Sequence, residues 1–193
     1  KKPTGELTKV DLEKVKELHL FNNQLTEVKG IEKLTQLKIL RLWRNKLSEV
    51  PKGLEKLTKL NVLSLGGNQL TKVPKELENL TQLTTLYLNR NQLTEVPKEL
   101  ENLTKLKVLS LGGNQLTDVK GLEKLTKLET LRLENIQLTD VKGLEKLTQL
   151  KELWLDDNQL TDVKSLENLT QLKKLSLKRN KLTDVKGLEK LDQ

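Results

Sequence analysis

The feature that most constrains this chain is an eleven-residue frame, LxxLxLxxNxL, that returns eight times in one register. It reads VKELHLFNNQL from Val15, LKILRLWRNKL from Leu37, LNVLSLGGNQL from Leu60 and LTTLYLNRNQL from Leu83. It continues as LKVLSLGGNQL from Leu106, LETLRLENIQL from Leu128, LKELWLDDNQL from Leu150 and LKKLSLKRNKL from Leu172. Successive copies start 22 or 23 residues apart. A fixed period of this length implies stacked units, none of which can bury its own apolar set, so stability must come from neighbours. Residues 1–193 then form one domain. Residues 1–14 are a shortened repeat or cap, in which Leu7, Val10 and Leu12 echo LTDVKGLEKL. Residues 15–182 hold the eight frames, and 183–193 are a partial repeat that Leu188 and Leu191 can close.

Inside each frame, alternation by two sends the leucines of LxLxx to one side of a strand and the variable residues to the other. Strands centred near His19, Arg41, Ser64, Tyr87, Ser110, Arg132, Trp154 and Ser176 should pair in parallel, one per turn. The second half of each unit, such as KGLEKLTQL, has apolar residues three apart and is too short for a long helix, which predicts short helical or 3-10 turns. That side is bulkier than a strand, so the sheet becomes the concave face. The frame asparagines Asn23, Asn45, Asn68, Asn91, Asn114, Asn158 and Asn180 are suited to satisfying backbone groups at the turn leaving the strand, because an amide both donates and accepts. Ile136 takes that place in the sixth repeat and predicts a local weak point.

These residues resemble the leucine-rich repeat family over nearly the whole chain. Units of 22 residues, such as LTDVKGLEKLTQLKELWLDDNQ, are similar to the bacterial internalin-type class, and units carrying VPKELENLTQL, marked by Pro51, Pro74 and Pro97, to the bacterial LPxxL class. The resemblance implies an α/β solenoid with a curved parallel β-sheet on its concave face and short helical or 3-10 turns on its convex face. It also implies a protein-binding role and favours a secreted or cell-surface setting over a cytoplasmic one. The high identity between repeats fits recent duplication or consensus design.

Chemistry is poorly provided for. There is no Cys and only one histidine, His19, so neither a thiolate metal site nor a conventional triad can be assembled. Gly66-Gly67 and Gly112-Gly113 lack the Lys-Ser/Thr of a phosphate loop, and Asp156 and Asp157 are sequence neighbours rather than a pair across a cleft. No enzyme, cofactor or metal is expected. An acidic row (Glu27, Glu49, Glu95, Asp118, Asp140, Asp162, Asp184) runs two or three residues before a lysine row, which reads as a solvated, mutually compensating surface. The formal charge of +8 is spread along the chain with no basic block, which argues against nucleic acid. No apolar run approaches the ~18 residues of a membrane span. The numbering begins without Met, as expected of a trimmed precursor, and the end at GLEKLDQ fits either a longer natural chain or end-to-end pairing with a second copy.

Function is therefore sought where the copies disagree. The fifth, seventh and eighth frame positions vary strongly, and they hold all four aromatic residues, Phe21, Trp43, Tyr87 and Trp154. The frame predicts solvent exposure for each. Exposed aromatics and arginines are typical anchors of binding hot spots. The candidate partner-binding residues are His19, Phe21, Arg41, Trp43, Arg44, Tyr87, Asn89, Arg90, Arg132, Glu134, Trp154, Asp156 and Asp157. Trp43 and Tyr87 flank a repeat that carries only Ser64, Gly66 and Gly67, which predicts a shallow pocket; repeat five has the same small set. Glu134, Asp156 and Asp157 predict an acidic patch, followed by a basic end of Lys173, Lys174, Lys178 and Arg179. A protein ligand on the concave face is the leading reading. Glycan binding by Trp43 and Trp154 and a designed scaffold without a natural ligand are the alternatives, and the oligomeric state stays open.

Overall fold

Every copy of the frame becomes one strand of a single parallel sheet. The computed structural model describes residues 9–189 and 191. A short helix α1 (Lys9–Leu12) precedes the strands β1 (Glu17–His19), β2 (Ile39–Arg41), β3 (Val62–Ser64) and β4 (Thr85–Tyr87), which are followed by β5 (Val108–Ser110), β6 (Thr130–Arg132), β7 (Glu152–Trp154) and β8 (Lys174–Ser176). Their order in the sheet is their order in the chain, and equivalent frame positions pair, as in His19 with Arg41 and Arg41 with Ser64. The strands end at the residues on which the sequence centres them. Hydrogen bonding nevertheless runs on past them: Leu20 N–H donates to Arg41 O and Asn22 N–H to Trp43 O. The paired stretch as a whole is thus centred where expected.

The convex side returns through 3-10 turns at Ile31–Lys33, Leu54–Lys56, Lys75–Asn79, Lys98–Asn102 and Lys164–Leu166. The two five-residue turns directly follow Pro74 and Pro97 in the longer units. Between sheet and turns runs one continuous core of Leu, Val and Ile, with the frame leucines of the inner repeats fully buried. Each such leucine contributes roughly 1.5–3 kcal/mol by leaving water, and each does so only because the adjacent repeat covers it. Of the expected N-terminal cap residues, Val10 is exposed, Leu12 is half-buried, and Leu7 lies outside the described residues. Leu188 and Leu191 pack against the core at the other end.

The asparagine ladder stitches the turns together. Asn45 Nδ2 donates to Leu20 O at 2.8 Å and Leu42 O at 2.9 Å, while its Oδ1 accepts from Leu25 N–H at 3.1 Å. Asn68, Asn91, Asn114, Asn158 and Asn180 repeat the pattern. Among the described residues, Asn23 in the first repeat reaches only the carbonyls of Leu20 and Phe21.

Ile136 breaks the ladder in a way the frame does not foretell. Its side chain is fully buried in the core. Gln137 turns into the left-handed region at φ 63, a second such residue beside Asn135 at φ 54, where other repeats have one. The bond that Gln115 N–H makes to Leu93 O, and Gln159 N–H to Leu138 O, is missing between Gln137 and Leu116. Part of the acidic row has a different basis from mutual compensation. Asp118, Asp140, Asp162 and Asp184 each accept the backbone N–H two residues on, at 2.8–3.0 Å, so they fix turns, whereas Glu27 pairs with Lys29 at 2.8 Å.

Candidate functional site

The concave face is built from frame positions three, five, seven and eight. Strand alternation aims the third, fifth and seventh side chains away from the core. The eighth position stands in the left-handed region in every repeat: Asn22, Arg44, Gly67, Arg90, Gly113, Asn135, Asp157 and Arg179 have φ between 53 and 67. Glycine occupies such a position without steric cost, and asparagine or aspartate with little. Arginine has no such allowance. Arg44 and Arg90 hold it at φ 53 and 54, and neither makes an ion pair among the described residues.

Large and small repeats alternate from repeat two to repeat six. Ridges at repeats two and four enclose a hollow of about 600 Å³ over repeat three, with Trp43 and Tyr87 as walls and Ser64 on the floor. Arg41, Arg44, Asn89 and Arg90 complete its rim. A second hollow of about 510 Å³ lies over repeat five, between Tyr87 and Asn89 on one side and Thr130 and Arg132 on the other. The small floors are required by the neighbours. A Cβ added to Gly66 would meet Asn89 Oδ1 at 2.6 Å, and one added to Gly112 would meet Glu134 Oε2 at 2.7 Å.

Six of the candidate residues therefore converge on one hollow, and Tyr87, Asn89 and Arg132 define the next. Position three was absent from the candidates, yet Val62 and Thr85 line the first hollow and Val108 and Thr130 the second. The same alternation by two that selects positions five and seven would have found them.

The aromatics are less exposed than the frame predicts. Phe21 is 39% exposed, but Trp43, Tyr87 and Trp154 are half-buried, Trp43 and Trp154 because side chains on adjoining strands flank them. Phe21 and Trp43 stack with centroids 4.8 Å apart and planes 10° apart, and the Arg44 guanidinium lies 5.1 Å from the Trp43 ring. His19 lies beside Phe21 at 6.3 Å and beside Glu17 at 3.5 Å. Trp154 is bracketed by cations from both flanking strands, Arg132 at 4.9 Å and Lys174 at 4.2 Å.

The expected acidic patch is largely compensated within the protein. Asp157 forms a two-pronged ion pair with Arg179, which holds its carboxyl below the usual range. Asp156 accepts from Ser176 Oγ at 2.6 Å and Lys178 N–H at 2.7 Å. Glu134, leaning over Gly112, is half-buried, and that burial raises its pKa despite the nearby Arg132. Among the described residues no group of His, Asp and Glu is arranged to hold a metal ion, and no helix is long and apolar enough to cross a membrane.

A family model described as a leucine-rich repeat region matches residues 7–142, and one for paired leucine-rich repeats matches 148–190. No curated protein matches the chain. Among solved structures, internalin C2 of Listeria monocytogenes is 35% identical with a TM-score of 0.91, covering 96% of this chain and 81% of its own. A leucine-rich repeat protein of Leptospira interrogans is 38% identical with a TM-score of 0.85, covering 90% of this chain and 45% of its own. The ectodomain of an Arabidopsis thaliana membrane receptor kinase, solved in complex with Casparian strip integrity factor 2, is 30% identical with a TM-score of 0.72, covering 92% of this chain and 23% of its own.

Proposed function

The chain belongs to the leucine-rich repeat family, as an internalin-like member, and from that premise we propose that it is a protein-recognition module whose concave hollows receive side chains of a partner protein. The fold is commonly a protein-interaction module, and members of this kind are typically non-catalytic. The observation that carries the reading is the content of the concave face. It holds every aromatic of the chain, together with two arginines kept in a strained backbone conformation without an ionic partner among the described residues. Strain retained at a surface position is a pointer to use, since Gly67 and Gly113 show the unstrained choice at the same place. The contact set centres on Arg41, Trp43, Arg44, Tyr87, Asn89, Arg90 and Arg132, with His19, Phe21 and Glu134 at its margins. The likeness to internalin C2 and to a receptor ectodomain supports a secreted or surface setting.

Carbohydrate stacking has weaker support. One face of Trp43 is taken by Phe21, and Trp154 is covered by Arg132 and Lys174. A sugar would have to displace both cations from Trp154 and would find only one face of Trp43.

A displayed library of unconstrained twelve-residue peptides, panned on the protein and counter-screened on Trp43→Ala/Tyr87→Ala, tests the proposal. Enrichment that the double variant abolishes is the expected result. Enrichment indifferent to the variant, or none at all, would move recognition off this face.

A further inference from the structure

Resting on the reading above, we propose that the occupant of the concave face is an acidic segment in the polyproline II conformation. It crosses the strands and places apolar side chains three residues apart into the hollows over repeats three and five.

The argument is one of spacing. The hollow floors, Ser64 and Ser110, lie two strands apart, with the Tyr87 ridge between them. Parallel strands lie about 4.7–4.9 Å apart, so the hollows repeat at about 9.5 Å. A polyproline II helix advances about 3.1 Å per residue with three residues per turn, so its like-facing side chains repeat at about 9.3 Å. An extended β-strand presents a face every 6.6–6.8 Å or so, which matches neither one hollow spacing nor a simple multiple of it. An α-helix returns about every 5.4 Å, and each second turn would strike the tyrosine ridge.

Charge and hydrogen bonding agree with that geometry. A Cβ on Gly67 would meet Arg44 Cγ at 3.4 Å, and one on Gly113 would meet Arg90 Cγ at 3.1 Å. Arg44 and Arg90 thus edge the first hollow two strands apart, Arg90 lying against Gly113 of repeat five, and Arg132 edges the second hollow. An acidic residue beside each apolar one would meet a guanidinium suited to holding a carboxylate. On the intervening ridge, the Tyr87 hydroxyl and the Asn89 amide make no hydrogen bond with the described residues. A polyproline II backbone has no internal hydrogen bonds, so its carbonyls are available to both.

The probes are fluorescein-labelled peptides. One is built of four Pro-Glu-Leu triplets, a second has the same composition with leucines two and four apart, and a third has Lys for Glu. Anisotropy titrations use the whole chain and two variants, Ser64→Tyr and Ser110→Tyr. The fifth frame position already accepts tyrosine at Tyr87, and melting curves confirm that the variants fold. The triplet peptide should bind at least tenfold more tightly than either control and lose at least tenfold in each filled variant. Equal affinity for the two spacings, indifference to both substitutions, or no binding of the triplet peptide up to millimolar concentration overturns the inference. Library peptides that need Trp43 and Tyr87 but show no three-residue spacing would leave the recognition reading standing and remove this one alone.

Discussion

Leu116 and Ile136 lie one repeat apart, and the Leu116 backbone N–H has no acceptor among the described residues, because the buried isoleucine stands where other repeats supply an asparagine oxygen. Leu93 and Leu138 show the usual arrangement, bonded to Asn114 and Asn158 at 3.1 and 3.0 Å.

This trade predicts different outcomes for two substitutions. Ile136→Ala should destabilise by about 2–4 kcal/mol, the usual cost of emptying a buried aliphatic site. Ile136→Asn loses burial too, but regains ladder bonds worth about 1 kcal/mol each and relieves Gln137. It should fall within about 1 kcal/mol of the parent in urea unfolding. Amide exchange at Leu116 should be faster than at Leu93 or Leu138, and slow in Ile136→Asn.

Asn91 ties Leu65 O, Leu88 O and Leu70 N–H at 2.9–3.1 Å from a nearly buried site. Asn91→Ala leaves the Leu70 N–H without its acceptor, at about 1–3 kcal/mol, while Leu65 O and Leu88 O keep Asn68 and Asn114 as donors. A loss of about 2–3 kcal/mol is expected in denaturant unfolding. A loss below about 1 kcal/mol would show that water replaces the amide at this turn.

The Phe21–Trp43 stack should be worth about 0.5–1.5 kcal/mol as a coupling energy in a double-mutant cycle to alanine. Trp43→Ala alone should lower stability by about 1–2 kcal/mol, well short of the ~3–5 kcal/mol of a core tryptophan, since the ring is half-buried and the leucine core does not rest on it.

Glu129 sits between Lys151 and Lys107, at 2.6 and 2.9 Å, and the two bonds hold its pKa at about 2. A depressed carboxylate pKa gives stability that is present above the unfolded value and is lost as pH falls towards 2. Carbon-detected NMR should place the Glu129 midpoint well below those of exposed glutamates, and 1 M NaCl should raise it, because this pair is open to solvent.

Glu134 has the opposite sign. Burial raises its pKa, so the folded state binds the proton more tightly and the ionised form opposes folding at neutral pH. Glu134→Gln should raise the melting temperature at pH 7 and have little effect at pH 3, where the carboxyl is already protonated. A stabilisation that is equal at both pH values would assign the effect to packing.

The leucine and asparagine positions were legible in the sequence because each serves the same neighbour contact in every repeat, so periodicity alone reveals them. The hollow over repeat three was legible for the same reason: Trp43 and Tyr87 stand in register with a repeat that lacks bulk. What escaped depends on relations that one repeat does not contain. Asp157 looks like a free acid until Arg179 is brought to it across one repeat. Trp154 looks like an open ring until β6 and β8 each lay a cation on it. Ile136 reads as a missing polar group, and only the rearranged turn shows that the core could absorb it.

The way Asn89 leans over Gly66, and Glu134 over Gly112, makes the repeats depend on order. At these two floors glycine leaves room for the side chain that the next unit sends across. Shuffling single units among repeats two to six would set ridge against ridge or join two floors into a featureless trough. The smallest cassette that can be copied without losing the surface relief is a pair of units, as from Leu60 to Leu106, 46 residues on. Growth or engineering of this array should therefore count in twos, although its core counts in ones.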